Sequence, residues 1–343
     1  MIGLLPYCVL AQDSAAVSPN KLATALQPFV ESHSLAGAVT LVADKNQVLD
    51  LEAVGYPDIA ASKPMNTDAL FWIASMSKPI TVSALMMLVD EGTVKLDDPV
   101  EHYLPEFTKV KIIVPDKGGS HVRLQKPRHP ITVRQLLSHT SGIPFSSSIE
   151  GLTLDVFPLA TRVQSYALLP LMFEPGSSYS YSNAGINTVA RIIEVVSGTS
   201  YVEFLRKHLF EPLGMKDTTF WPDKGQLTRL PKSYKPNFGK TDLEETTITQ
   251  LQYPLDDLKR QPMPAGGLFS TAADLVRFCQ MILNDGVFQG KRILSSAAVR
   301  QMTSKQTGDL IKTEYGFGWE TGGGMFGHGG AYATNMTIDR SVD

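Results

Sequence analysis

Apolar positions recur at helical spacing through the middle part of the chain. The run ITVSALMMLVDEG is too long for a strand, and Gly92 at its end is a usual helix stop. The segment SPNKLATALQPFVESH predicts an earlier helix, with Ser18 as its N-cap and Pro19 in the first helical position. Four further runs predict helices at ITVRQLLSHTSG, capped by Thr132 and stopped by Gly142, and at NAGINTVARIIEVVSG, SYVEFLRKHLFEPLG and STAADLVRFCQMILNDG.

Strand patterns lie near the two ends of the chain. The segment AGAVTLVADKNQVLDLEAVGY predicts two strands, 37–43 and 48–54, around a turn at Lys45 and Asn46. From Tyr315 onward, an aromatic and glycine-rich stretch predicts strands joined by a glycine hairpin. These patterns favour an α+β fold in which a mostly antiparallel sheet, built from both chain ends, is flanked by helices and receives an inserted helical subdomain.

The same arrangement predicts one domain over residues 18–343. Residues 18–74 and 266–343 would form the sheet subdomain, and residues 75–265 the helical subdomain. Residues 1–17 are interpreted as a signal-like or disordered N-terminus, because LLPYCVLA followed by QDS resembles the end of a signal peptide that lacks its positively charged start. We therefore expect an exported protein, periplasmic or secreted, with a cytoplasmic location as the alternative.

Composition narrows the classes of function. The chain has 343 residues, 43% of them hydrophobic, and a net charge of −3, which gives no basic surface of the kind that binds nucleic acid. No window approaches the length of apolar sequence that spans a membrane. The cysteines are Cys8 and Cys279, and the second lies in a helical apolar run typical of a buried thiol. No Cys/His cluster has zinc spacing. We expect a small-molecule substrate and no metal or other cofactor, and we leave the oligomeric state open.

The stretch FWIASMSKPI holds the first candidate chemistry. Ser75 and Lys78 are three residues apart at the start of a predicted helix, so their side chains share a face. Pro79 is tolerated only near a helix start, which places Ser75 where free N–H groups and the positive end of the helix dipole favour an oxyanion. Lys78 beside apolar neighbours would lose its charge readily and suit a proton acceptor. The alternative interpretation is a capping serine and an extended surface lysine.

Two later motifs favour the catalytic interpretation. PGSSYSYSNAG places Tyr181 and Asn183 in a polar loop before a helix, and FGHGGAY places His328 on a predicted strand. A serine first, then Tyr-x-Asn, then a basic residue followed by glycine: this order resembles the serine β-lactamase and penicillin-binding-protein superfamily. LLSHTSGIP, PAGGLFSTAADLVRF and YGFGW also resemble the class C β-lactamase-related branch, which includes family VIII carboxylesterases and D-amino-acid peptidases. The resemblance extends over roughly residues 20 to 340.

The resemblance implies a role for each residue of these motifs. The implied catalytic residues are Ser75 as the nucleophile, Lys78 as the lysine that shares its proton, and Tyr181 as the general base. The implied substrate-binding residues are Asn183, His328, Gly329 and Gly330, and the implied oxyanion hole is formed by the backbone N–H groups of Ser75 and Ala331. A protonated His328 would join Lys78 in stabilising the phenolate of Tyr181.

One departure from the superfamily pattern affects the expected substrate. Position 328 is His where the related triad is usually Lys-Thr-Gly, and histidine is only partly charged near neutral pH. A substrate carboxylate would therefore be held less well, whereas a neutral ester would lose nothing. We expect a serine hydrolase that forms an acyl-enzyme, first as a carboxylesterase on small esters. The alternatives are a D-amino-acid peptidase or amidase, a β-lactamase, or a catalytically silent sensor or scaffold.

Two further expectations concern residues outside the motifs. His139, in LSHTSG, is interpreted as a structural residue at a helix end, and Tyr315 and Trp319 as core aromatics. In the related fold, the strand that carries the position of His328 is followed by two more strands and a closing helix. Here AYATNMTIDRSVD supplies one strand, about 333–338, and we therefore expect a chain that lacks the last strand and helix.

Overall fold

The structure is a computed structural model that describes residues 21–115 and 121–342. The signal-like segment 1–17, with Cys8, and the expected cap at Ser18 and Pro19 lie outside the described residues. Within the two ranges, no helix combines the length and apolarity that crossing a membrane requires.

The predicted helices are present, together with several short ones. In chain order the helices are α1 (Lys21–Glu31), α2 (Ser77–Asp90), α3 (Val100–Tyr103), α4 (Val133–Leu137), α5 (Leu159–Ala167), α6 (Asn183–Ser197), α7 (Tyr201–Leu205), α8 (Glu211–Leu213), α9 (Lys224–Leu227), α10 (Ala272–Leu283) and α11 (Ser296–Met302). Ser182 and Thr271 cap α6 and α10 through their hydroxyls, and Gly198 ends α6 in the left-handed conformation. Gly92, with φ of 76°, follows α2 as predicted.

The described strands are short, and all their pairings are antiparallel. They are β1 (Gly37–Ala43), β2 (Val48–Gly55), β3 (Phe71–Trp72), β4 (Ile112–Pro115), β5 (Val122–Gln125), β6 (Ser233–Pro236), β7 (Leu243–Thr246), β8 (Phe269–Ser270), β9 (Val287–Phe288), β10 (Lys291–Arg292), β11 (Glu320–Gly322), β12 (Met325–Gly330) and β13 (Thr334–Asp339). The α+β class with antiparallel pairing is confirmed, and β1 and β2 lie within one residue of their predicted bounds.

The strands of the two chain ends form separate sheets rather than one. β1 pairs with β2, and β11, β12 and β13 form a three-stranded sheet. β1 and β13 face a common cleft of about 1670 Å³ instead of pairing with each other. Hairpin pairing is local and follows from the sequence pattern, whereas the joining of distant edges is not encoded in that pattern. Among the described strands, the sheet elements contributed by the two chain ends are thus antiparallel, as expected, and are not hydrogen-bonded to each other.

One local prediction differs from the structure. α4 ends at Leu137 instead of continuing to Gly142, because His139 adopts a left-handed backbone with φ of 58°. Residues 75–265, expected as the helical subdomain, also contain the antiparallel strand pairs β4–β5 and β6–β7.

Helix α2 forms the centre of the core. Every residue from 77 to 88 is buried, and the helix packs against α6, α7 and α11. The turn of 3₁₀-helix that precedes it, Ala74–Met76, contacts β12 and β13. The fold therefore brings the start of the central helix against the glycine-rich strand from the end of the chain.

Candidate active site

Ser75 and Lys78 lie side by side at the N-terminal end of α2. Ser75 is in the 3₁₀ turn directly before the helix and is partly exposed, whereas Lys78 is completely buried. The Nζ atom of Lys78 is 3.1 Å from the Oγ of Ser75 and donates a 2.7 Å hydrogen bond to the carbonyl oxygen of Ala265. Ala74, just before the serine, has a positive φ of 44°, a strained conformation of the kind that clusters at functional sites.

Burial sets the protonation state of Lys78. Desolvation holds the pKa of its amine well below the usual value, and the more distant carboxylate of Glu320 opposes this only in part. A neutral amine keeps two N–H donors and one lone pair. With one N–H directed to Ala265, the lone pair can accept the proton of the Ser75 hydroxyl.

Tyr181 lies next to Lys78 in the site. The Nζ atom of Lys78 is 4.6 Å from the centre of the Tyr181 ring. Burial raises the pKa of the Tyr181 phenol, while a side-chain hydrogen bond with Ser75 acts in the opposite direction. The phenol is therefore protonated in the resting site at neutral pH, so a resting phenolate does not form.

Asn183 is the first residue of α6 and is almost fully buried. The hydroxyl of Ser182 caps the helix by accepting a 3.0 Å hydrogen bond from the N–H of Gly185, which fixes the direction in which the helix starts. The Oδ1 atom of Asn183 is buried, and no partner for it is present among the described residues. Such an acceptor is costly unless something else binds it, so the amide is suited to contact a substrate.

His328 lies on β12 opposite Met336 of β13. Its Nδ1 atom is 2.6 Å from the carbonyl oxygen of Gly329, which can only accept, so Nδ1 carries the proton. Nε2 is then an acceptor, and it lies 3.5 Å from the Tyr181 hydroxyl. Burial, with a smaller contribution from Lys78, lowers the pKa of His328 to about 4. The expectation of a protonated His328 that stabilises a phenolate is therefore wrong, because the imidazole is neutral at pH 7.

Gly329 and Gly330 bring β12 close to the turn that carries Ser75. A Cβ atom on Gly330 would clash with the carbonyl oxygen of Ile73 and the hydroxyl of Thr334, whereas one on Gly329 would meet only Asn335 Oδ1 at 3.9 Å. Ala331 follows in a short turn that also contacts the Ser75 turn. This approach supports, without testing, the predicted oxyanion hole of the Ser75 and Ala331 N–H groups.

Several residues of the site were not predicted as functional. His139 is buried against Tyr181, with ring centres 4.6 Å apart, although the sequence suggested only a helix-end role. Phe145, half exposed, stacks on the same tyrosine with the ring centres 6.3 Å apart. Ala265 accepts the hydrogen bond of Lys78 through its backbone carbonyl. Every residue has such a carbonyl, so the residue type at position 265 could not have identified this role.

The fold and the site together define the class of serine hydrolases that carry a Ser-x-x-Lys pair at the start of a buried helix, next to a short antiparallel sheet. The family model described as Beta-lactamase matches residues 22–343. The chain belongs to the β-lactamase family, which confirms the resemblance seen in the motifs.

Individual proteins agree with this assignment. Over 320 residues the chain is 31% identical to penicillin-binding protein 4 of Amycolatopsis lactamdurans, covering 90% of this chain and 78% of that protein. It is also 31% identical over 221 residues to esterase EstB of Burkholderia gladioli, covering 61% of this chain and 53% of that protein. Among solved structures, EstCE1, described as a hydrolase with promiscuous acyltransferase activity, superposes with a TM-score of 0.78 at 24% identity over 94% of this chain and 90% of its own.

Proposed function

We propose that this protein is a carboxylesterase that cleaves small neutral esters through an acyl-enzyme on Ser75. The observation that carries the proposal is the neutral state of His328, which occupies the position of the superfamily's lysine. Without a fixed positive charge there, the site has little to hold a substrate carboxylate, and a neutral acyl group is not penalised. The similarity to an esterase supports the same substrate class.

The acylation step uses the contacts of the resting site. Neutral Lys78 takes the proton of Ser75 across their 3.1 Å contact, and Oγ attacks the ester carbonyl. The oxyanion would be bound by the N–H groups of Ser75 and Ala331, each typically worth a few kcal/mol of barrier. The protonated phenol of Tyr181 gives its proton to the leaving alkoxide, and the ammonium of Lys78 returns a proton to Tyr181.

Deacylation reverses these proton movements. A water molecule enters where the alcohol left and attacks the acyl carbonyl, and its proton passes through Tyr181 to Lys78. When the acyl–Oγ bond breaks, Lys78 returns that proton to Ser75. The net change is an ester and water giving an acid and an alcohol, and every group of the enzyme recovers its starting state.

The mouth of the site also favours apolar acyl groups. Phe145 stacks against Tyr181, with the ring centres 6.3 Å apart and half of its own surface exposed. An apolar acyl chain that covered this ring would remove its surface from water, a gain of roughly 25 cal/mol for each Å² buried. A charged peptide terminus would gain nothing from the same contact.

Turnover of a substrate panel tests the proposal. Rates are measured on p-nitrophenyl butyrate, nitrocefin and D-alanyl p-nitroanilide, with fluorophosphonate labelling as a separate measure of a reactive serine. We expect butyrate to be cleaved fastest and the label to map to Ser75. Faster cleavage of the D-alanyl amide or of nitrocefin would replace the esterase with a peptidase or a β-lactamase, and a folded protein that neither labels nor turns over would be the silent sensor.

The variant His328→Lys tests the charge argument directly. It restores a cation at position 328, so the ratio of nitrocefin to butyrate turnover should rise. A ratio that stays flat or falls would show that the charge at this position does not select the substrate.

A further inference from the structure

We infer that His139 is a positioning residue for the reaction, holding Tyr181 in its catalytic place by binding the backbone on both sides of it. The inference rests on the proposed function, because it assigns Tyr181 a proton-transfer role. The structural role expected for His139 at a helix end does not account for its contacts with the residues around Tyr181.

The contacts of His139 enclose Tyr181. The carbonyl oxygen of His139 accepts a 3.0 Å hydrogen bond from the N–H of Ser180, and its Nδ1 atom accepts a 3.2 Å hydrogen bond from the N–H of Ser182. These are the residues directly before and after Tyr181. The imidazole also packs against the tyrosine ring, with the centroids 4.6 Å apart. One residue therefore fixes both peptide neighbours of Tyr181 and one face of its ring.

These contacts allow only one form of the imidazole. A backbone N–H can only donate, so Nδ1 must be the acceptor and Nε2 must carry the proton. Nε2 then donates to the hydroxyl of Tyr315 at 3.2 Å. A protonated His139 would direct a second N–H at the N–H of Ser182 and lose that hydrogen bond. The titratable groups that face the ring are Lys78, Tyr179, Tyr181, Tyr315 and His328. Burial is the largest cause that holds the pKa of the imidazole well below its usual value and keeps it neutral.

The backbone of His139 is also unusual. Its φ of 58° is a conformation that most side chains avoid and that asparagine tolerates better than most. The side chain is only 1% exposed. The strained backbone of His139 thus accompanies the placement of its imidazole acceptor next to the Tyr181 loop. Backbone strain of this kind clusters at functional sites.

A double-mutant cycle distinguishes positioning of Tyr181 from general stabilisation. His139→Ala should lower kcat on p-nitrophenyl butyrate on the order of 10²-fold, the cost of a small misplacement of a catalytic group, with KM nearly unchanged. In a Tyr181→Phe background the same substitution should cost little more, because the group that it positions is already gone. His139→Asn, which offers an amide oxygen and suits the positive φ, should recover part of the rate. Full, multiplicative losses in the double variant would overturn the inference.

A second measurement does not depend on turnover. Hydrogen exchange at the amide of Ser182, which is bonded to the imidazole, should be faster in His139→Ala, or in His139→Leu should the alanine variant fail to fold, and unchanged in the control His102→Ala, whose imidazole is exposed. Unchanged exchange at the Ser182 amide would overturn the inference even with an active enzyme. If exchange is faster in the variant but the wild-type protein cleaves no ester, the proposed function is disproved and the positioning contact still stands.

Discussion

The carbonyl oxygen of Ala265 accepts a 2.7 Å hydrogen bond from the Nζ atom of Lys78, although 187 positions separate the two residues in sequence. The N–H of Ala265 is itself held at 3.1 Å by the Oδ1 atom of Asn187 on α6. The amide of Asn187 donates at 2.9 Å to Tyr166, whose hydroxyl donates at 2.6 Å to Glu150. This buried series of hydrogen bonds thus fixes the carbonyl of Ala265, which orients the candidate base Lys78.

Replacing Asn187 with leucine should therefore affect both stability and rate. The change leaves the N–H of Ala265 without its partner, at about 1–3 kcal/mol for an unsatisfied buried group, and removes the donor to Tyr166, whose hydroxyl keeps its hydrogen bond to Glu150. The carbonyl that orients Lys78 is then free to move, so kcat should fall as well. Urea unfolding and ester kinetics on the same preparation measure the two effects. An unchanged kcat in a destabilised variant would show that this series of hydrogen bonds only stabilises the fold.

Ser75→Ala should remove turnover and fluorophosphonate labelling while leaving the free energy of unfolding nearly unchanged, because the Ser75 side chain is not part of the core. Ser77→Ala is the matched control two residues away. The Ser77 hydroxyl donates to the carbonyl of Ala74 at 2.7 Å and accepts from the N–H of Leu268 at 3.2 Å, both buried. That control should lose about 1 kcal/mol of stability and keep labelling. Residual hydrolysis by Ser75→Ala beyond a trace would disprove the assignment of the nucleophile.

Gly330→Ala should damage the site more than Gly329→Ala. The added methyl at position 330 clashes with the carbonyl of Ile73, two residues before Ser75, so the strand must move away from the nucleophile. At position 329 the methyl meets only an ordinary contact. We expect kcat to fall by at least tenfold in the first variant and to change little in the second, with melting temperatures recorded for both. Equal rates would place the oxyanion donors elsewhere.

The neutral state of His328 should make stability depend on pH. Its folded-state pKa of about 4 lies below that of an unfolded histidine near 6.5. The unfolded chain therefore binds more protons between these values, and the free energy of unfolding should decrease as pH falls from about 6.5 to about 4. In His328→Gln the free energy of unfolding should change less with pH, because one proton fewer is taken up on unfolding in this range. Urea titrations at several pH values give both slopes, and identical slopes would show that His328 is not a buried neutral imidazole.

Much of the fold follows from the sequence pattern, because α6 and α10 have local caps and apolar faces, and α2 is an apolar run followed by the stop at Gly92. The motifs likewise identified Ser75, Lys78 and Tyr181, which the structure brings together. The features that the sequence did not predict depend on contacts between distant residues or on the backbone conformation. The Ala265 carbonyl carries no residue-type signal, and the left-handed φ of His139 ended α4 early. The charge of His328 also could not be predicted, because it depends on how completely the folded chain buries the ring.

Helix α2 has core on every side, and this determines how the protein loses function on heating. A helix buried from Ser77 to Leu88 cannot shift without opening the core around it. Ser75 therefore keeps its position until the molecule as a whole unfolds, and partly active intermediates should not accumulate. Labelling of Ser75 would then count the folded molecules in a population, since a chain is either intact and reactive or unfolded and silent.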